Sequence, residues 1–501
     1  MVSAATPRFV VLGGGTAGWM VANLFAHRWP GARVDVIESS EIGIVGVGEG
    51  STPQLKAFFD RLGIAEADWM PACNATYKAG ISFHGWSERP GYESYFHPFA
   101  TDLDVHTAPR FFQHTLACRQ RLDVHAHPDR FFASARLAAE KLAPLAPEDF
   151  PFEVGYGYHF DAHLVGAFLR KHAEGRGVRR HDRKVVEVEV ADGEVAALRF
   201  EGGDRIEADL FVDASGFRAM IASALGVSFR SFGDNLFNDS AVVMPTPSER
   251  QGPASETRST ALRNGWAWAI PLTNRIGNGY VYSSRYCSAE EAEAELRAHL
   301  GVGEDTPARR LSMRVGRIED SWAGNCLAIG LAQGFIEPLE ATALHLVQAT
   351  VEGFMAAWEQ GGFTPRHRDA FNRNVAARYE GVRDYIVCHY RVNRRTDTPY
   401  WRDNAAQANL SDSLKGVLTA WFRGRDLEAE IERQDMARYY APLSWHCLLA
   451  GYGVFPAADK LRPPEEPARY DMARVDEFVR RAALNFPPHA EALAALRPQS
   501  A

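Results

Sequence analysis

What this 501-residue chain has little of narrows the reading first. Its six cysteines (Cys73, Cys118, Cys287, Cys326, Cys388, Cys447) are scattered with no Cys-x-x-Cys, which favours buried free thiols over disulfides or zinc. No run reaches the roughly eighteen apolar residues of a membrane span. Met1 to Pro7 is too short and uncharged for a signal peptide, so a cytoplasmic protein that touches no membrane is expected. Basic residues are in deficit, 55 Lys and Arg against 63 Asp and Glu, and the net charge of −8 offers no field for nucleic acid. Repeats and low-complexity tracts are missing, apart from a Pro/Glu-rich piece at Arg462–Pro467 that reads as a surface loop. The histidines of the irregular, aromatic-rich stretch 84–150 (His84, His97, His106, His114, His125, His127) are too loosely spaced for a metal site and read as surface and loop residues.

What is there begins at Phe9-Val10-Val11-Leu12-Gly13-Gly14-Gly15-Thr16-Ala17-Gly18-Trp19-Met20. The apolar start predicts a buried strand. Gly13, Gly15 and Gly18 then keep the Gly-x-Gly-x-x-Gly spacing ahead of an apolar helical run, Trp19 to Phe25. Such glycines provide a tight turn, close backbone approach to a pyrophosphate and close helix–strand packing, with the anion at the positive helix end. A second apolar run, Val34 to Ile37, ends in Glu38, where an acid accepts hydrogen bonds from a ribose hydroxyl. Together they predict a dinucleotide site and leave FAD and NAD(P) both open.

The glycine-rich stretch Gly43–Pro53 reads either as a surface loop or as a strap against a cofactor, with Ser51 or Thr52 capping the helix that follows. That helix carries the stripe Leu55, Phe58, Phe59 and Leu62 and stops at Gly63; a second helical run is read from Glu66 to Thr76. In the strand-like piece Tyr77–Phe83 the only charge is Lys78, which is either a solvated amine or a partly desolvated one of altered reactivity. Tyr156–Asp161 leads into a helix from Ala162 to His172. The strand pair Arg183–Val190 and Val195–Phe200, and the strand Leu210–Val212 ending in Asp213 and Gly216, alternate with helices and predict a three-layer α/β core. Along Asn264–Leu272, Trp266 and Trp268 fall on one strand face opposite Ala267 and Ala269, with the strand stopping at Pro271. The paired indoles are either core or a cavity wall. Glu337 and Glu340 precede an apolar helix, Leu344 to Trp358. Glu337 reads better as a charge at a helix N-terminus, whereas Glu340 divides evenly between that and an acid/base or electrostatic group. From Arg366 onward the periodicity is helical, through a last helix at Met472–Leu484.

These motifs resemble the flavin-dependent tryptophan/indole halogenase family. The resemblance is carried by Gly13-x-Gly15-x-x-Gly18 with Trp19-Met20, by Gly46-Val47-Gly48-Glu49-Gly50-Ser51-Thr52-Pro53, and by Lys78. Tyr158-His159-Phe160-Asp161-Ala162, Asp213-Ala214-Ser215-Gly216-Phe217-Arg218, Trp266-x-Trp268-x-Ile270-Pro271 and Phe335-Ile336-Glu337-Pro338-Leu339-Glu340-x-Thr342 complete it. It runs from about residue 8 to 400, and more weakly to 490. By resemblance, reduced FAD arrives from a separate flavin reductase and reacts with oxygen to give a hydroperoxide, and chloride or bromide is oxidised to hypohalous acid. The oxidant passes to Lys78, which hydrogen-bonds it or forms a haloamine. Glu340 stabilises the cationic ring intermediate of a small aromatic substrate and takes its proton. The resemblance places FAD on Gly13, Gly15, Thr16, Ala17, Gly18, Glu38, Gly48, Gly50, Ser51, Asp213 and Leu331, and halide on Thr342 and the amide of Ala343. Trp266, Trp268, Ile270 and Pro271 divide substrate from flavin. Two departures stand out. Ala341 and Ala343 replace the Ser and Gly that flank the threonine in tryptophan-specific members, which leaves the halide preference open. Tyr439 to Gly453 does not reproduce the segment that clasps the amino-acid end of free tryptophan, so free indole, a substituted indole or a larger indole-bearing molecule in a more open site is expected, and acceptance of free tryptophan is left open.

The fold class that follows is α/β, an FAD-binding Rossmann-like three-layer (ββα) core of the flavin monooxygenase type with a mainly helical C-terminal cap. The expected division is an FAD-binding body at 1–360, with inserted loops and helices at 50–150 lining the substrate side, and a helical cap at 361–501 contributing to the substrate pocket. A homodimer fits this reading as well as a monomer does. The rivals are a flavin-dependent aromatic monooxygenase and a non-catalytic flavoprotein such as a redox sensor. Gly277-Asn278-Gly279 lacks the strand–turn–helix context of a second dinucleotide loop, which weighs against a built-in NAD(P)H site.

Overall fold

Phe9, Val10 and Val11 expose nothing, because the Arg8–Leu12 strand is central in a six-stranded sheet and covered on both faces. The structure is a computed structural model that describes residues 7–43 and 48–497, so residues 44–47 of the expected strap, Gly46 and Val47 among them, lie outside the described residues. Arg33–Glu38 and Leu210–Asp213 flank the central strand in parallel, with Val11 opposite Val36 on one side and Val212 on the other. Arg179–Asp182 and Cys326–Ala328 extend the parallel set, and the short Trp322–Ala323 closes one edge antiparallel. Helix Thr16–Arg28 covers one face with Ala162–Gly175 beside it; the Asn23 side-chain amide donates to the Leu169 carbonyl at 2.9 Å. On the other face lies a three-stranded antiparallel sheet, Val185–Ala191, Glu194–Phe200 and Arg205–Ile206. Val195, Leu198 and Phe200 pack there against Val10, Leu12 and Phe211. The three layers are therefore β, β and α, as expected. The turn Asp192-Gly193 has both residues at positive φ (51° and 78°), the geometry that suits a tight hairpin.

Compactness divides the chain into two units. One comprises Met1–Asn74, Phe160–Gly233 and Met313–Tyr379; the other Ala75–His159, Asp234–Ser312 and Glu380–Ala501. This division does not follow a break at 360. The second unit is built on a seven-stranded sheet in the order Arg309–Ser312, Ser240–Pro247, Arg275–Tyr282, Gly265–Pro271, Glu256–Leu262, Gly80–His84, Ser94–Pro98. Only Glu256–Leu262 and Gly80–His84 run parallel to each other. Ala267, Tyr280 and Tyr282 turn one face toward Ala292 and Leu296 of helix Ala289–Leu300. The C-terminal helices belong here, and Ala473–Ala483 buries Ala482 and Ala483 against Leu103, Ala133 and Leu137.

Some local expectations are corrected. Glu66–Thr76 is not one helix: it breaks into a helical turn at Glu66–Trp69, a tighter turn at Pro71–Cys73 and a strand beginning at Thr76, with Asn74 at φ 51°. Pro71 lacks the N–H a continuing helix would use. Neither Ser51 nor Thr52 caps the next helix, which starts at Gln54 with Pro53 in the cap position and no side-chain cap bond. His97 and His114 are buried rather than superficial, and the His114 ring Nδ1 meets the His125 carbonyl at 2.6 Å. A final helix, His489–Ala495, extends the helical tail past Leu484. All six cysteines are buried and free. Among the described residues, no helix is long and apolar enough to cross a membrane.

Candidate active site

In the first unit the glycine loop is constrained differently at each of its three glycines. Gly13 has φ 124°, and a Cβ there would lie 2.1 Å from the Ala214 carbonyl oxygen. A Cβ at Gly18 would lie 1.9 Å from the Gly13 carbonyl oxygen. Gly15 is different: a Cβ would meet nothing within 4 Å, so the loop opens onto space. It also caps helix Thr16–Arg28 without any side-chain bond, leaving first-turn N–H groups to donate to an anion. The Gly330–Ala332 turn reaches the same helix start, since a Cβ at Gly330 would lie 3.0 Å from the Ala17 Cβ; Leu331 is thereby placed beside the loop. Thr16 is held there by its hydroxyl, which donates to the Ala162 carbonyl at 3.2 Å.

Glu38 ends its strand with Arg180 hydrogen-bonded to one carboxylate oxygen and Arg170 at 3.5 Å. The other oxygen lies where a side chain on Gly14 would be, 1.6 Å from that glycine's hypothetical Cβ. Asp213 is buried at the end of its strand. Its Oδ1 accepts from the Ser215 N–H (3.0 Å) and hydroxyl (2.6 Å), and its Oδ2 from the Ile221 and Ala222 N–H groups (2.8 and 2.9 Å). Wholly buried, this carboxylate builds the turn after its strand, and burial raises its pKa against those four bonds. Gly48 and Gly50 flank Glu49 in a short strand, Ser51 is buried behind them, and burial followed by the Asp161 charge pushes Glu49 up to about 7.

Further along the same unit, Glu337 and Glu340 are both buried, at 0% and 4% exposure, around a tight turn at Pro338–Glu340. Glu337 occupies the cap position of that turn, at the helix N-terminus where its charge is expected, without a side-chain cap bond. Ala341 follows at φ 56°, a conformation that costs a residue with a Cβ, and Thr342 is buried at the start of helix Ala343–Gln360. That helix too has no side-chain cap bond at Thr342, so its positive end begins at the Ala343 N–H.

In the second unit Lys78 exposes nothing. It ends strand Thr76–Lys78, paired antiparallel with Gly157–His159, and its ammonium stands 5.3 Å from the centre of the Phe99 ring. The solvated-amine alternative is thereby excluded. Trp266 and Trp268 share one face of strand Gly265–Pro271, with ring centres 6.1 Å apart and planes tilted by 57°. Both are buried, and the strand ends at Pro271 beside buried Ile270, as expected. Trp268 has room because Gly279 stands opposite it; a Cβ at Gly279 would lie 2.1 Å from the indole.

The family profile for tryptophan halogenases matches residues 8–463. The chain belongs to that family. Tryptophan 6-halogenase SttH from Streptomyces toxytricini is 38% identical over 94% of this chain and 93% of its own length. Two solved structures are 34% identical: BrvH, a flavin-dependent halogenase from Brevundimonas sp. BAL3 (TM-score 0.83, covering 98% of this chain and 99% of its own), and Xcc4156, a flavin-dependent halogenase from Xanthomonas campestris (TM-score 0.84, covering 99% of each). This protein is a flavin-dependent halogenase. The uncapped helix start, the open face of Gly15 and the adjoining Gly330 turn fit the pyrophosphate of its FAD. Sequence reading missed Gly14, which admits the Glu38 carboxylate, and Arg180, which anchors it. The Gly-Gly-Gly run could have flagged the first. Arg180 lies on a neighbouring strand and left no local signal.

Proposed function

We propose that this halogenase acts on an electron-rich aromatic, an indole or tryptophan-like compound, with chloride or bromide and with reduced FAD supplied by a separate reductase. The buried, aromatic-flanked amine of Lys78 is the observation that carries this reading. Gly13, Gly15, Thr16, Ala17, Gly18, Glu38 and Leu331 would hold FAD, with the Gly48–Ser51 strap against it. Reduced FAD, when bound, supplies the electrons with which oxygen oxidises halide to hypohalous acid. Thr342 and the Ala343 N–H hold the halide. Trp266, Trp268, Ile270 and Pro271 keep the aromatic ring from the oxidising centre, where it would otherwise be hydroxylated. At Lys78 the ammonium donates to the oxygen of hypohalous acid. As the ring carbon bonds halogen, the oxygen–halogen bond breaks, its electron pair stays on oxygen, and water leaves with a proton from the amine. Glu340 stabilises the cationic ring and takes its proton, restoring aromaticity. The substituted aromatic and water are the balanced products.

Lys78→Ala is expected to lose at least about a hundredfold in halogenated indole while hypohalous acid still forms, and Glu340→Gln to lose about as much. Mass spectrometry of indole and tryptophan reactions, with chloride and with bromide and with a flavin reductase present, reads this directly. Hydroxylated products independent of halide would establish the monooxygenase instead, and full halogenation by Lys78→Ala would overturn the lysine mechanism.

A further inference from the structure

Lys78 sits on a strand of three residues, too short to hold a catalytic amine in place by ladder bonds alone. Two buried histidines grip it. His159 stands directly opposite Thr76 across the antiparallel pair, and its Nδ1 lies 3.0 Å from the Thr76 hydroxyl oxygen. That hydroxyl has one proton, donated to the Pro271 carbonyl at 2.7 Å. The bond from the imidazole must therefore be a donation from Nδ1–H. His159 Nε2, left without a proton, accepts from the Thr257 hydroxyl at 2.9 Å. The second histidine comes from the tail. His489 Nδ1–H donates to the Pro253 carbonyl at 2.9 Å, and its Nε2 accepts the backbone N–H of Tyr77 at 3.1 Å. Both rings are neutral and in the same tautomer. Burial, then the charges of Lys78 and His489, holds His159 far below its ordinary range, and burial pushes His489 down to about 4.

We propose that His159 and His489 are positioning residues of the halogenation site, fixing the Lys78 strand through Thr76 and Tyr77 and locking it to the Pro271 end of the tryptophan strand. They act through opposite ring atoms. His159 uses its Nδ1 donor toward the lysine strand, whereas His489 uses its Nε2 acceptor. His489 also lies beyond the segment matched by the family profile, which ends at residue 463, so the tail supplies part of the site's support.

The inference rests on the Lys78 reading and has its own test. Asparagine can present an N–H where Nδ1 was, and glutamine an oxygen where Nε2 was. His159→Asn and His489→Gln are therefore expected to keep halogenation coupled, whereas His159→Gln and His489→Asn leak. The readout is halogenated indole against free hypohalous acid caught by monochlorodimedone, with the leaking pair shifted about tenfold toward the free acid. Melting temperatures of the four variants accompany it. Thr76→Val, which keeps the shape and removes the hydroxyl, should leak like His159→Gln and serves if a histidine variant does not fold. A packing role would rank asparagine and glutamine the same way at both positions. That outcome overturns the proposal, as does wild-type coupling in all four. Lys78→Ala run alongside separates the two claims: if it halogenates normally, the lysine mechanism fails first; if it is inactive and the crossed order is missing, only the positioning claim fails.

Discussion

A carboxylic acid partly withdrawn from water holds its proton to higher pH, and half-buried Glu49 is such an acid, raised to about 7 by burial first and by the Asp161 carboxylate second. The consequence for stability has a definite sign. Between its ordinary value near 4.5 and about 7, the folded protein keeps a proton that the unfolded chain has released. Glu49 therefore contributes stability that is complete below about 4.5 and is lost as pH rises through 7. Melting temperatures of the FAD-free protein and of Glu49→Gln across pH 5 to 8 test this at about half-unit steps. The wild type should lose ground to the variant as pH rises, with the difference levelling above about pH 8. A difference that does not change with pH would mean that Glu49 is ionised throughout.

At the scale of elements, Gly279 shows why part of the site could not be read from the chain. In sequence it belongs to Gly277-Asn278-Gly279, which reads only as an incomplete dinucleotide loop. In the fold it is the floor beneath Trp268, a role created by the register of two antiparallel strands. Gly279→Ala would force a methyl into a rigid indole and is expected to cost about 1–3 kcal/mol. Denaturant unfolding measures that loss, and hydroxylated or unhalogenated indole would reveal a displaced wall; unchanged stability would show that the strand shifts freely. Motifs whose parts are contiguous were legible: the glycine loop, the paired tryptophans, and the acids before a long helix. Lys78 was legible as an isolated charge in an apolar run, although its burial was not. Asp213 was legible as a strand-end acid before a glycine, but the four bonds it accepts from its own turn were not. His159 was legible as part of Tyr158-His159-Phe160-Asp161-Ala162, but it and His489 are 330 residues apart and meet one strand from different segments, so no local pattern announces their shared hold on it.

At the scale of the whole molecule, the division of the chain decides which pieces can fold alone. Neither compact unit is a continuous stretch; each is assembled from three segments. A fragment ending at residue 360 keeps Ala75–His159 and Asp234–Ser312 but loses Glu380–Ala501, which completes their unit. Leu103, Ala133 and Leu137 would be left without Ala482, Ala483 and Phe486, and Tyr77 without the His489 ring that accepts its N–H. Exposed apolar surface and an unpaired buried donor both oppose folding, the latter by about 1–3 kcal/mol. The fragment is therefore expected to bind a hydrophobic dye strongly, to show no cooperative thermal transition and to bind no FAD, although every residue of the glycine loop is present. Removing only the residues after 484 poses a milder question, because the strands, Ala482 and Ala483 remain and the losses include Phe486 and His489. That shorter deletion should still melt cooperatively and bind FAD, yet release hypohalous acid in place of halogenated indole. Cooperative melting with FAD binding by the 360-residue fragment would show instead that the glycine loop folds independently of the second unit.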